Sequence, residues 1–130
     1  MAQLSSTLGR AGPLSSEVLD VQVTEHGPHV RVVTVGGEID ALTAPELGVL
    51  LSAQLAAASL VVVDLERVWF LGSAGLSVLF VANELATREN CYLWLAFPRR
   101  GMANRALEVT GLGERFNVAE TVAAALINSL

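Results

Sequence analysis

A chain of 130 residues is long enough to bury one core, and with 52% hydrophobic but only 5% aromatic residues that core must be built from Val, Leu, Ile and Ala. Eight basic residues against thirteen acidic ones leave a net charge of −5, which disfavours nucleic acid, whose phosphates need a basic footprint. No apolar run approaches the ~20 residues that span a bilayer, and the single cysteine, Cys91, excludes an intramolecular disulfide framework or a multi-cysteine zinc site.

Residues 1–16 are rich in Ser, Gly and Ala and hold no continuous apolar block. They read as a loose N-terminal tail and not as a secretory signal, and a reducing, cytoplasmic setting is expected. Residues 18–23 and 30–39 carry alternating or β-branched apolar residues. His26-Gly27-Pro28-His29 separates them with turn chemistry, so a β-hairpin is predicted. Thr43-Ala44-Pro45-Glu46 has capping-box spacing, with Thr43 as the cap and Pro45 tolerated in the first turn. Leu47, Leu50, Leu51, Leu55 and Ala58 then recur at helical spacing, which predicts an amphipathic helix over 44–57.

Leu60-Val61-Val62-Val63 is a short continuous apolar run, the pattern of a strand buried on both faces. Asp64 closes it, and residues 65–72 read as a short loop. Residues 73–90 predict a second helix with Ser73 at its N-cap. Its polar positions Ser77, Glu84 and Arg88 make only a narrow stripe. Tyr92-Leu93-Trp94-Leu95-Ala96 is a further strand. Residues 102–110 form a third helix that Gly111 ends in a left-handed cap. Residues 116–118 are a brief edge strand and residues 121–130 a terminal helix. The order β-β-α-β-α-β-α-β-α implies an α/β domain over 17–130, its mixed sheet parallel in the later part and covered by helices.

Gly72-Ser73-Ala74-Gly75 between a strand and a helix invites comparison with a nucleophile elbow, but Leu71 stands where that motif needs a glycine. The only histidines, His26 and His29, precede the serine in the hairpin turn and read as exposed turn residues, not as a general base. The chain has no Gly-x-x-x-x-Gly-Lys-Ser/Thr loop and no lysine to serve one, and Gly36-Gly37 is too short for a dinucleotide fingerprint. Asp40 and Asp64 approach each other if their strands are neighbours, and read as cap or loop acceptors. Cys91 reads as a small buried hydrophobe, and Arg99, Arg100 and Arg105 as solvated loop charges. No metal or cofactor is expected. What remains is a small acidic domain with a hydroxyl at a helix start and an apolar helix behind it, a profile that suits a binding module and not an enzyme.

Three stretches carry a family resemblance: Val35-Gly36-Gly37-Glu38-Ile39-Asp40 followed by Thr43-Ala44-Pro45; Val62-Val63-Asp64-Leu65; and Val68-Trp69-Phe70-Leu71-Gly72-Ser73-Ala74-Gly75-Leu76. From residue 32 to 130 the chain resembles the STAS-domain anti-sigma factor antagonists, small bacterial regulators of partner-switching systems. The resemblance implies the STAS fold and binding to an anti-sigma factor that is also a serine kinase, which releases a sigma factor. Phosphorylation by that kinase would break the complex, and a serine phosphatase would restore it. The family's phosphoacceptor falls on Ser73, and Asp40 matches an acidic position near it. Gly72, Ala74, Gly75 and Leu76 complete the expected partner-binding set.

Many members carry Asp immediately before the acceptor, where this chain has Gly72. From position alone Ser73 reads as a simple N-cap; the resemblance makes it a switch. Leu76 and Phe80 stay open between partner contact and core packing. STAS domains also serve as accessory subunits of membrane transporters, including lipid-transport ATPases, without being phosphorylated, and composition does not separate that reading from the first.

Overall fold

The computed structural model describes residues 19–129. The expected tail over 1–16, and residues 17, 18 and 130 of the expected domain, lie outside them. Five strands form one sheet in the order β1-β2-β3-β4-β5. They are β1 (Leu19–Glu25), β2 (Val30–Ile39), β3 (Leu60–Leu71), β4 (Tyr92–Ala96) and β5 (Asn117–Ala119). β1 and β2 are the predicted antiparallel hairpin, closed by the His26 N–H donating to the Val30 carbonyl at 2.9 Å. The other pairings are parallel, joined through helices α1 (Ala44–Ala57), α2 (Ser73–Arg88) and α3 (Met102–Thr110), while α4 (Val122–Asn128) follows β5.

The sheet separates two apolar layers. Val33, Val35, Val61, Val63, Leu93 and Leu95 meet the buried faces of the first three helices in the larger core. Val32, Val62 and Ala96 point the other way, where Ala125 of α4 covers them. The continuous run Leu60-Val61-Val62-Val63 is apolar because successive residues alternate between two buried faces, as its sequence predicts. The heptad-like spacing of Leu47, Leu50, Leu51 and Leu55 likewise becomes the buried stripe of α1. Gly111 adopts a left-handed φ of 72° and ends α3, also as expected. Thr121 caps α4 by accepting the Ala124 N–H at 3.0 Å.

Of residues 65–72, expected as a loop, 65–71 are strand. β3 continues to Leu71, pairing with the last third of β2. The register shows why the sequence concealed this. Thr34 pairs with Asp64, Gly36 with Arg67, Gly37 with Val68, Glu38 with Phe70 and Ile39 with Leu71, so β3 accommodates one extra residue between Asp64 and Arg67 and another at Trp69. Each bulge turns a two-residue repeat into a three-residue one. Leu65, Val68 and Leu71 are therefore all buried at a spacing that does not look like a strand. Gly37 takes a φ of 101° at the second shift, which a residue with a side chain adopts only under strain.

The first turn of α1 also differs from expectation. Thr43 makes no capping bond to its own helix. Thr43 holds the N-cap position, but its hydroxyl points back into the β2–α1 turn, and the Asp40 carbonyl accepts the Ala44 N–H at 2.8 Å.

If the second bulge sets the pattern, Val68 and Trp69 must respond unequally to truncation. Val68→Ala removes buried methyl groups and is expected to lower stability by about 1–3 kcal/mol, whereas Trp69→Ala stays within about 0.5 kcal/mol. Urea denaturation of both variants measures the contrast.

Candidate functional site

Ile39 and Leu71 end their strands side by side. One further bond, from the Gly72 N–H to the Ile39 carbonyl at 3.0 Å, extends the ladder past them. Neighbouring strands stand about 4.8 Å apart, so the chain leaves the sheet at Asp40 and at Gly72–Ser73 as close neighbours. The topology thus brings together two of the residues singled out in the sequence.

Asp40 is fixed by the turn that it starts. Its Oδ1 accepts the N–H groups of Leu42 and Thr43, both at 3.0 Å. The Thr43 hydroxyl lies 3.1 Å from the same oxygen, donates to the Glu38 carbonyl at 2.8 Å and accepts the Asp40 N–H at 3.0 Å. Thr43 is the one buried polar side chain among the described residues, and this network satisfies it. The Thr43 N–H, with the Thr43 hydroxyl and the Leu42 N–H, holds the Asp40 carboxyl below its ordinary value near 3.8, against a smaller opposing effect of desolvation.

Ser73 is the first residue of α2 and not its cap. Gly72 takes the cap position, extended at φ −88° and ψ −178°, and its carbonyl accepts the Leu76 N–H at 3.0 Å. The last rung of the ladder already uses the Gly72 N–H, so the chain turns into the helix one residue earlier than its sequence suggests. The Ser73 side chain is exposed and makes no hydrogen bond among the described residues. No acidic side chain stands in the first turn of α2 and no side chain caps it, so the helix itself supplies no counterpart to its leading N–H groups and the positive end of its dipole.

The small residues around Ser73 divide into two kinds. Gly75 is buried, and a Cβ there would lie 2.6 Å from Ile39 Cγ2 and 2.7 Å from Leu71 Cδ1. Its smallness lets α2 seat on the two strand ends. Leu76 is buried as well, at 7% exposure, and packs in the larger core. Gly72 and Ala74 are half-buried beside the exposed hydroxyl. A Cβ on Gly72 would meet the Phe70 ring at 3.1 Å. Phe80 is half-buried against the core, with the Arg115 guanidinium 5.7 Å above its ring.

Other candidates stand elsewhere. Asp64 lies beside β2, but at the level of Thr34 and not of Asp40, and its Oδ1 accepts the Glu66 N–H at 3.0 Å. His26 and His29 occupy the hairpin turn at the far end of β2, about 30 Å from Asp40 at strand rise. Neither is placed to act as a base on Ser73. Cys91 is buried, and burial pushes its thiol up. Arg99 forms an exposed ion pair with Glu120 at 3.7 Å, while Arg100 and Arg105 are exposed. No group of three metal-ligating side chains occurs among the described residues.

Sequence reasoning missed two contributors. The Asp40-x-x-Thr43 spacing is itself a cap signal that overlaps with Thr43-x-x-Glu46. The exposed Trp69 and Phe70 were hidden by the unrecognised bulge.

The model of the STAS domain family matches residues 21–125. The anti-sigma-F factor antagonist RsfB of Mycobacterium tuberculosis is 32% identical over 109 residues, which are 83% of this chain and 87% of that protein. The crystal structure of an anti-sigma factor antagonist from Mycobacterium paratuberculosis is also 32% identical, with a TM-score of 0.76 over 90% of this chain and 96% of its own. SpoIIAA in its unphosphorylated form shares the fold at 18% identity, with a TM-score of 0.69 over 85% of this chain and 97% of its own.

Two predictions follow from the geometry. Gly75→Ala inserts a methyl against the β-branched, fully buried Ile39 and is expected to destabilise by about 1–3 kcal/mol, read from thermal or urea unfolding. Because the Asp40 pKa is depressed in the folded state, its contribution is complete above the ordinary carboxylate value and is lost as pH falls through the folded one. The stability difference between wild type and Asp40→Asn is therefore expected to be present at neutral pH and to shrink in acid below pH 3.8. Paired urea titrations across pH measure it.

Proposed function

This chain belongs to the STAS domain family, and we propose that it is an anti-sigma factor antagonist whose partner interface is switched by phosphorylation of Ser73. It is a regulatory binding protein and not an enzyme. The supporting relatives at 32% identity are both anti-sigma factor antagonists by name. The observation that carries the switch is the exposed, unbonded Ser73 hydroxyl at the start of a helix with no acidic side chain in its first turn.

The physical consequences differ for monomer and complex. A phosphate adds about −1.5 to −2 charges and three acceptor oxygens. At Ser73 it faces leading N–H groups and the positive end of the α2 dipole, which tolerate it. The fold should change little. A partner closed over Gly72, Ser73 and Ala74 leaves no room for that group, and burying an unpaired dianion is costly. A loss of only about 3 kcal/mol weakens binding more than about a hundredfold.

In this reading the partner is an anti-sigma factor with serine kinase activity, and a serine phosphatase reverses the modification. Asp40, Gly72 and Ala74 contribute surface to the contact. Gly75 and Leu76 contribute from beneath by seating the helix. Asp40 is already anchored through Oδ1, so its remaining oxygen is presented in one orientation. No helix among the described residues is long and apolar enough to cross a membrane. A partner that holds a sigma factor places this function in the cytoplasm. The accessory-subunit alternative gains no support from relatives that are named as antagonists.

Incubation with ATP and the anti-sigma kinases of the source genome, followed by mass spectrometry, is expected to place one phosphate on Ser73 and none on Ser73→Ala. Ser73→Glu is expected to bind the same kinase about a hundredfold more weakly with an unchanged circular dichroism spectrum. A phosphate that persists in Ser73→Ala, or none on wild type, overturns the assignment.

A further inference from the structure

Strict alternation along β3 would bury one of any two successive residues. The bulge at Trp69 suspends that rule between the buried Val68 and Leu71, and both intervening aromatics emerge, Trp69 at 59% exposure and Phe70 at 43%. Large aromatics have much area to bury against a partner, and this chain holds few of them. The Phe70 ring lies over Gly72, so the aromatic surface runs up to the residue before Ser73.

The charge around this pair is mainly acidic. Glu38 stands opposite Phe70 on the neighbouring strand, and Glu66 precedes the bulge. Neither carboxylate makes a hydrogen bond or ion pair among the described residues, whereas Asp40 and Asp64 are occupied with backbone N–H groups. Arg67 is the only cation on the stretch from Asp64 to Leu71.

We propose that Trp69 and Phe70, flanked by Glu38 and Glu66, form a docking patch for an arginine side chain of the protein that reads Ser73. This rests on the function proposed above and adds the chemistry of the partner. A guanidinium is attracted to the face of an indole or phenyl ring, and more so when water is excluded. The two carboxylates complement its charge and steer its approach. A purely apolar partner would bury Glu38 and Glu66 with no counter-charge, which is unfavourable. An acidic surface would be repelled.

The test uses the full chain carrying Trp94→Phe, which leaves Trp69 as the only tryptophan. It is titrated with the kinase that labels Ser73, at low and high salt, and the affinity of every variant is read by isothermal titration calorimetry. Trp69 emission is expected to change on binding. Trp69→Leu and Phe70→Leu are each expected to weaken the complex about tenfold or more, while Trp69→Phe stays within about threefold. Glu38→Gln with Glu66→Gln should flatten the salt dependence. Full affinity in both leucine variants and in Trp69→Ala overturns the patch. Full affinity in Trp69→Leu, with loss only on truncation to Ala, identifies an apolar occupant and overturns the arginine. Circular dichroism of each variant separates lost binding from lost fold. If no kinase binds or labels the wild type, the functional reading fails and the patch assignment falls with it; if the kinase labels Ser73 and binds the aromatic variants as tightly as the wild type, only the patch assignment falls.

Discussion

The contact on which the site depends is the seating of the first turn of α2 on the ends of β2 and β3. Gly75 lets the helix approach Ile39 and Leu71 to within the space that a Cβ would occupy. The bond from the Gly72 N–H to the Ile39 carbonyl fixes where sheet ends and helix begins. Everything chemical follows from that junction. Because Gly72 serves both as last rung and as cap, Ser73 is freed from either duty and stands exposed at the helix start. Because Ile39 is held at the same level, Asp40 starts its turn alongside.

Around this junction rigid and accessible parts are separated. The Asp40–Thr43 network spends the polar groups of the β2–α1 turn on one another, so this turn is internally satisfied without a partner. The Ser73 hydroxyl is left outside any such network. A modification there changes the surface presented and not the hydrogen bonds that maintain the fold. That separation is what a reversible protein–protein switch requires, since the two states must differ in binding and not in stability.

Most elements were legible because each repeats a single period. The α1 stripe, the doubly buried run at Leu60 to Val63, β4, and the Gly111 cap all express local rules without competition. The end of β3 was not legible, since two bulges replace alternation by a spacing of three at Leu65, Val68 and Leu71. Helix starts were legible only approximately. Two candidates three residues apart, Asp40 and Thr43, compete for the cap of α1, and two adjacent ones, Gly72 and Ser73, for that of α2. The choice is made by which backbone groups the neighbouring strand has already used.

The sequence by itself determined an acidic, lysine-free α/β domain with an aliphatic core, the order of its elements, and the identity of Ser73 and Asp40 as residues of interest. These depend on composition and on periods of two or three to four residues, which are local properties of the chain. The tertiary structure alone decided that Ser73 is free and not a cap, that Gly75 and Leu76 work from within the core, and that Trp69 and Phe70 face solvent. Each of those facts is set by register between strands distant in sequence, and one inserted residue in a strand is enough to change which side chain a surface presents.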